Sequence, residues 1–235
     1  MTENTILKVE NVSKSFGDLQ IYSDTSIDIT EGGVYGILGP NGSGKTTLIN
    51  MITGQLGPDS GVIEISGINP TTNPLEVRSQ LGVLPEKQSP YSNFTPREYF
   101  HFIREIRGLS ESEVERQIEH FSDKLQYQDK LDTYNTNLSR GQQQKVMFTQ
   151  AFLHQPNIVV IDEPVANLDP EIQEIVLKLL EDYANQGNTI FLATHNLEFA
   201  SRICSEALFI SPDSESIERK QITDYSVDDL RDLFK

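Results

Sequence analysis

Residues 39 to 46 read Gly-Pro-Asn-Gly-Ser-Gly-Lys-Thr, a run in which spaced glycines lead into a lysine and a hydroxyl. The run fits the phosphate-loop pattern Gly-x4-Gly-Lys-Ser/Thr without exception. Gly39, Gly42 and Gly44 tolerate backbone angles that turn successive amide hydrogens toward one point. The apolar run Val34 to Leu38 leads into the loop and Thr47 to Ile52 leads out as a helix start, so a helix amino terminus adds partial positive charge. The natural guest is an anion of phosphate size. Pro40, Asn41, Ser43 and Thr47 complete the cradle, Lys45 is placed to reach the β- and γ-phosphates of a nucleotide, and the Thr46 hydroxyl to ligate Mg2+. Further along, the apolar run Ile158 to Ile161 ends in Asp162 and Glu163, and acids at the carboxyl end of a buried strand face the ligand crevice of such sheets. Asp162 suits the Mg2+ shell, directly or through water, and Glu163 suits the water that attacks the γ-phosphorus. Alone, two such acids could be a solvated turn; the phosphate loop upstream favours the site.

Short apolar runs at Ile6 to Val9, Val34 to Leu38, Val62 to Ile65, Ile158 to Ile161, Ile190 to Ala193 and Leu208 to Ile210 have strand length. Amphipathic stretches alternate with them in the second half, which predicts an α/β fold with a mostly parallel sheet and helices on its faces. From about Pro90 to Lys145 the strand signal gives way to helix signals. Thr95, Pro96 and Glu98 form a capping box ahead of an apolar face of Tyr99, Phe100, Phe102, Ile103 and Ile106. Ser110 and Glu113 open a second helix carrying Val114, Ile118, Phe121 and Leu125. Asp169-Pro170 opens another, with Ile172, Ile175, Val176, Leu179 and Leu180 inward, ending near Gly187. Ser226 and Asp229 can cap a last short helix with Val227, Leu230, Leu233 and Phe234 on one side. Residues 1–88 and 146–211 thus read as a nucleotide-binding core, 89–145 as a helical insertion and 212–235 as a carboxyl-terminal extension.

Across 235 residues, 19 Lys and Arg stand against 35 Asp and Glu, a formal charge of -16 that repels nucleic-acid phosphates and anionic lipid. A general DNA or RNA binder is not expected. No apolar run approaches the ~18 residues that cross a bilayer, and no basic stretch precedes an apolar run at the amino end, so a cytoplasmic chain is expected. The single Cys204 cannot close an internal disulfide and reads as a small core residue.

Leu138-Ser139-Arg140-Gly141-Gln142 lies before a helix, between Lys45 and the acid pair. Taken in this order, the motifs resemble the ATP-binding subunits of ABC transporters over nearly all of residues 5 to 210, with Arg140 where the family signature Leu-Ser-Gly-Gly-Gln has its first glycine. The resemblance implies a P-loop (RecA-like) ATPase core with an amino-terminal antiparallel β part and an inserted helical subdomain. It implies ATP and Mg2+ as ligands, with Ser139, Gly141 and Gln142 contacting ATP held by another subunit. Ser139 could also simply cap its own helix, and it can do both. Phe16 resembles the aromatic that stacks on adenine, Asp169 the loop that touches the opposite subunit or a helix cap, and His195, in Ala-Thr-His-Asn, the switch histidine beside the γ-phosphate. Catalysis would then rest on Glu163 as base with His195 and Lys45. Histidines 101, 120 and 154 read as structural. Where the family has a glutamine that senses Mg2+, this chain reads Leu84-Pro85-Glu86-Lys87-Gln88; Glu86 stands at that place, adding a charge beside Asp162 and Glu163, with Gln88 the other candidate.

The resemblance also implies how the parts work together. Two subunits, identical or related, stack head to tail around ATP, and hydrolysis reopens them. A separate integral membrane permease would hold the pair on the inner face of the cell membrane, gripping near Glu86, Tyr91 and Phe94. The single unfused domain, the Leu-Pro-Glu variant and the Leu-Ser-Arg-Gly-Gln-Gln-Gln-Lys stretch look more like subunits of multidrug, ion or lipid exporters than of nutrient importers. The competing readings are a soluble ABC protein acting on ribosomes, DNA or iron-sulfur assembly, and an ATP-binding regulator with little turnover. Glu163 and His195 argue against the regulator, and the charge argues against nucleic acid.

Overall fold

The computed structural model describes residues 5–30, 32–87, 89–211 and 215–232. Its elements run β1 (Thr5–Phe16), β2 (Leu19–Thr30), β3 (Gly33–Leu38), α1 (Lys45–Ile52), β4 (Ser60–Ile65), α2 (Pro74–Gln80), β5 (Leu81–Leu84), α3 (Pro96–Arg107), α4 (Glu111–Lys124), α5 (Arg140–Phe152), β6 (Ile158–Asp162), α6 (Pro170–Ala184), β7 (Thr189–Ala193), α7 (Leu197–Ile203), β8 (Glu206–Ser211), β9 (Ser216–Gln221) and α8 (Val227–Asp232). The expected strands are all present. β2, β5 and β9 and the short helices α2 and α7 join them.

Two sheets form. β2-β1-β4 is antiparallel, and a six-stranded sheet has the order β5-β6-β7-β3-β8-β9, parallel except where β9 turns back along β8. This is the α/β, P-loop ATPase architecture expected above. The central strands β6 and β7 are buried on both faces, as near-continuous Ile-Val-Val-Ile and Ile-Phe-Leu-Ala runs require. One apolar cluster lies between the parallel sheet and α5, α6 and α7, and reaches into the helices between β5 and β6. A second lies between the parallel sheet and the antiparallel one, around α1.

The helical stretch starts as its capping box dictates: Thr95 Oγ1 accepts from the Glu98 amide at 3.2 Å, and Glu98 accepts from the Thr95 amide at 2.9 Å. The apolar face of α3 is narrower than expected. Tyr99 and Phe100 are buried and Ile103 packs on the core, but Phe102 and Ile106 are exposed. Phe102 lies on a neighbouring flank, where it meets Tyr91 and Phe94 at centroid distances of 5.8 and 5.4 Å, and Ile106 sits in the last turn. Cys204 is buried, as expected. In α8 only Leu230 is buried; Leu233 and Phe234, and Gln88 of the Leu-Pro-Glu segment, lie outside the described residues.

Candidate functional site

The phosphate loop leaves the end of β3, the strand held between β7 and β8, and delivers α1 with Gly44 at its amino cap. Gly44 sits at φ 110°, and a Cβ there would lie 2.6 Å from Ile21 Cγ2 and 2.8 Å from the Tyr22 hydroxyl. No side chain caps α1 and no acid lies in its first turn, so its leading amides stay open to an anion. At Gly39 an added Cβ would lie 2.5 Å from Ser43 Oγ and 2.7 Å from the Ile210 carbonyl, so the loop closes only around a bare backbone. Lys45 Nζ donates to the Gly39 and Pro40 carbonyls at 2.8 and 2.9 Å. Its partial burial lowers the ammonium pKa below the ordinary lysine range, against the pull of Glu163, Asp162 and Glu86.

The acids converge on this loop. Thr46 Oγ1 lies 3.4 Å from Asp162 Oδ2. Burial, then the charges of Glu163 and Glu86, push the Asp162 carboxyl up to about 6. Glu163 follows at φ 54°, a left-handed conformation that L-residues adopt under strain, and it is held there by three groups on the next strand's end. Thr194 Oγ1 donates to Oε2 at 3.0 Å; the His195 amide and ring Nδ1 donate to Oε1 at 2.8 and 2.7 Å. The Glu163 amide also bonds the Ala193 carbonyl at 2.9 Å. The carboxylate is buried at the back of the site, while the His195 side chain is 71% exposed at its mouth.

Phe16, Asn41, Gly42, Gly44, Lys45, Thr46, Thr47, Glu86, Asp162, Glu163 and His195 thus line one cleft of about 510 Å³. The signature residues do not join them. Ser139, Gly141, Gln142 and Asp169 line a separate cleft of about 470 Å³ at the amino end of α5. There Ser139 Oγ accepts from the Gln142 amide at 3.2 Å and Gln142 Oε1 accepts from the Ser139 amide at 2.9 Å, a capping box. Asp169 caps α6 through the Ile172 amide at 3.1 Å. The cap readings of both residues are therefore realised in the fold. Arg140 lines this cleft and also a neighbouring one shared with Glu86 and Lys87.

Several supporting residues escape sequence reasoning. The Tyr22 hydroxyl donates to the Gly44 carbonyl at 2.7 Å and braces the loop. Gln144, on α5, donates to the Glu163 carbonyl at 3.2 Å, tying the signature helix to the acid pair within one chain. Thr194 is the third. A threonine beside the expected histidine was the one available signal.

The chain's own groups fit a nucleotide and its metal. The buried Ser43 Oγ has no hydrogen-bond partner among the described residues, and a phosphate oxygen would supply one. Among the described residues no three His, Cys, Asp or Glu side chains form a metal cage. The adjacent Thr46 hydroxyl and Asp162 carboxylate are oxygen donors of the kind Mg2+ takes, one or two from protein beside waters and substrate phosphates.

The family description "ABC transporter" matches residues 22–166. The chain is 34% identical to the L-cystine import ATP-binding protein TcyC of Bacillus subtilis, over 87% of this chain and 86% of that one. It is 32% identical to Nod factor export ATP-binding protein I of Sinorhizobium fredii, over 90% of this chain and 62% of that one. A solved structure described as an ATP binding subunit of an ABC transporter superposes with a TM-score of 0.90 at 28% identity, covering 97% of this chain and 99% of that one. With this match and this fold, the chain belongs to the ABC transporter family, as an ATP-binding, ATP-hydrolysing subunit.

Proposed function

We propose that two copies of this chain, or one copy and a related subunit, close head to tail around two ATP molecules and drive export through a separate integral membrane permease. The observation that carries this reading is the separation of the two half-sites. The phosphate loop and acids line one cleft, the signature residues another, so one chain supplies each half only once. A second subunit turned head to tail would set Ser139, Gly141, Gln142 and Asp169 against the first subunit's nucleotide.

In this mechanism the loop amides, Ser43 and Lys45 hold the triphosphate, and Phe16 stacks on adenine. Thr46 and Asp162, with Glu86, would hold Mg2+, which would supply positive charge to offset that of the phosphates. Glu163 takes the proton of the attacking water. His195 and Thr194 fix the direction of its carboxylate, and His195 positions the γ-phosphate from the mouth. Ser139 of the opposing subunit adds a hydroxyl and a helix amino end to the transition-state charge. The helices from residue 89 to 145 act as the arm that moves the signature. The exposed aromatics Tyr91 and Phe102, with Phe94 packed against both, offer the permease its grip, placing the subunit on the inner face of the cell membrane.

Ser139 separates capping from catalysis. Ser139→Ala loses the cap; Ser139→Asn keeps a cap oxygen and loses the small hydroxyl. Both variants are expected to lose about tenfold or more in turnover, while only the alanine variant loses roughly 1 kcal/mol in a denaturant titration. An asparagine variant with full ATPase activity would reduce Ser139 to a cap.

The transport reading is tested by detergent extraction of tagged protein. An integral membrane protein should come down with it and stimulate its ATPase when the two are returned to vesicles. Recovery with ribosomes or as a free dimer alone would favour the soluble ABC reading.

A further inference from the structure

Phe16 closes the β1 hairpin end of the nucleotide cleft as a residue 51% exposed, a poor setting for an aromatic that must hold one orientation. Among the described residues Phe16 belongs to neither apolar cluster of the core. Lys14, two residues earlier on the same face of β1, places Nζ over the ring at 5.5 Å from the centroid. Lys14 is only 8% exposed, an unusual degree of burial for a lysine, and the burial is accounted for by one partner: Nζ lies 2.6 Å from Asp59 Oδ1. The other Asp59 oxygen accepts from the Ser15 amide at 2.7 Å, and the Asp59 amide donates to the Ser13 carbonyl at 2.9 Å. The residue ahead of β4 thus grips Ser13, Lys14 and Ser15 in succession, up to the residue that carries the aromatic.

We propose that Lys14, pinned by Asp59, is a positioning residue for the nucleotide base: it holds Phe16 by a cation–π contact on one face and leaves the other face to stack on the purine. This rests on the proposed role of Phe16 and adds the device that makes that role effective. Two physical effects act together. The contact removes rotamer freedom from an exposed ring before the nucleotide arrives, so less ordering is left for binding. A cation on one face also draws electron density from the ring, which favours contact of the opposite face with an electron-rich heterocycle. Both effects act on the base and neither acts on the phosphates.

The test compares Mg-ATP with Mg-tripolyphosphate, which has the phosphates and no base, by calorimetry on the full chain. Lys14→Met, similar in length and uncharged, should weaken ATP about fivefold, leave tripolyphosphate unchanged, and leave kcat at saturating ATP within about twofold while KM rises. Lys14→Arg keeps a cation over the ring and should restore ATP affinity. If both ligands weaken in parallel, Lys14 is only a tie between β1 and the start of β4, and the proposal is overturned; the same follows if neither weakens. Phe16→Ala separates this from the underlying reading. Loss of ATP affinity in Phe16→Ala with none in Lys14→Met would sink the lysine's role alone, whereas unchanged ATP affinity in Phe16→Ala would remove the stacking role itself.

Discussion

Glu163→Gln lowers ATP turnover by about a thousandfold while ATP binding is retained and nucleotide-bound dimers accumulate. The loss follows from removing a buried carboxylate whose direction is fixed by three donors, from Thr194 and His195. Retention of binding follows because the loop, Lys45 and Phe16 are untouched. The fold also tolerates the change: the amide oxygen can still accept from the His195 backbone at the Oε1 position, and Thr194 Oγ1 can accept from the new NH2. Phosphate release measured beside size-exclusion chromatography in Mg-ATP reads both halves of the prediction. A variant that hydrolyses at the wild-type rate removes Glu163 from the base role, and one that is inactive yet monomeric removes the link between closure and hydrolysis.

Asp162→Asn is expected to abolish turnover and, in the same protein, to raise the stability of the nucleotide-free chain at pH 7. The Asp162 carboxyl stands at about 6 in the folded chain against 3.8 as an ordinary aspartate, chiefly through burial. A raised acid pKa means that the folded state binds the proton more tightly than the unfolded state. The cost of the buried charge is therefore absent below about pH 4, grows as pH rises, and is complete above about pH 6. At 1.36 kcal/mol per unit that cost is about 3 kcal/mol, which the neutral asparagine removes. The nucleotide-free wild type should lose stability between pH 4 and 6 by more than Asp162→Asn does, and the variant should melt roughly 5–10 °C higher at pH 7. Thermal unfolding across that pH range checks the slope. Equal slopes in the two proteins would show that Asp162 is not held against its charge. The pairing of gained stability with lost chemistry is characteristic of a group kept in an unfavourable place for a ligand.

The strands lining the site were legible because β3, β6 and β7 are buried on both faces and so spell continuous apolar runs. β2 was not legible in that way. Its buried residues Tyr22, Thr25, Ile27 and Ile29 are interleaved with exposed polar ones, and bulges shift its register against β1, so no apolar run marks it. β9 reads Ser-Ile-Glu-Arg-Lys-Gln and is a strand because β8 pairs with it, with Arg219 reaching back to the Asp28 carbonyl. On α3, helical spacing gave the helix but overstated its apolar face, because Phe102 lies off the line through Tyr99 and Ile103, and Ile106, although on that line, sits exposed in the last turn. Within the site, local patterns gave the residues that carry the chemistry. They could not give Tyr22 under Gly44, Gln144 against Glu163 or the Lys14–Asp59 pair, since each contact spans a sequence separation that no periodicity encodes.

The order of strands in the parallel sheet has a consequence for how the protein is made. β3 carries the phosphate loop and is complete by Leu38, yet both its neighbours, β7 and β8, come from residues 189–211. During synthesis the loop's strand therefore emerges early with both edges unpaired, and waits for some 150 residues at roughly 5–20 residues per second, close to ten seconds or longer. Over that interval an apolar Val-Tyr-Gly-Ile-Leu segment is open to other nascent chains or to chaperones, and the nucleotide cradle cannot form on the ribosome until the last strands of the sheet have cleared the exit tunnel.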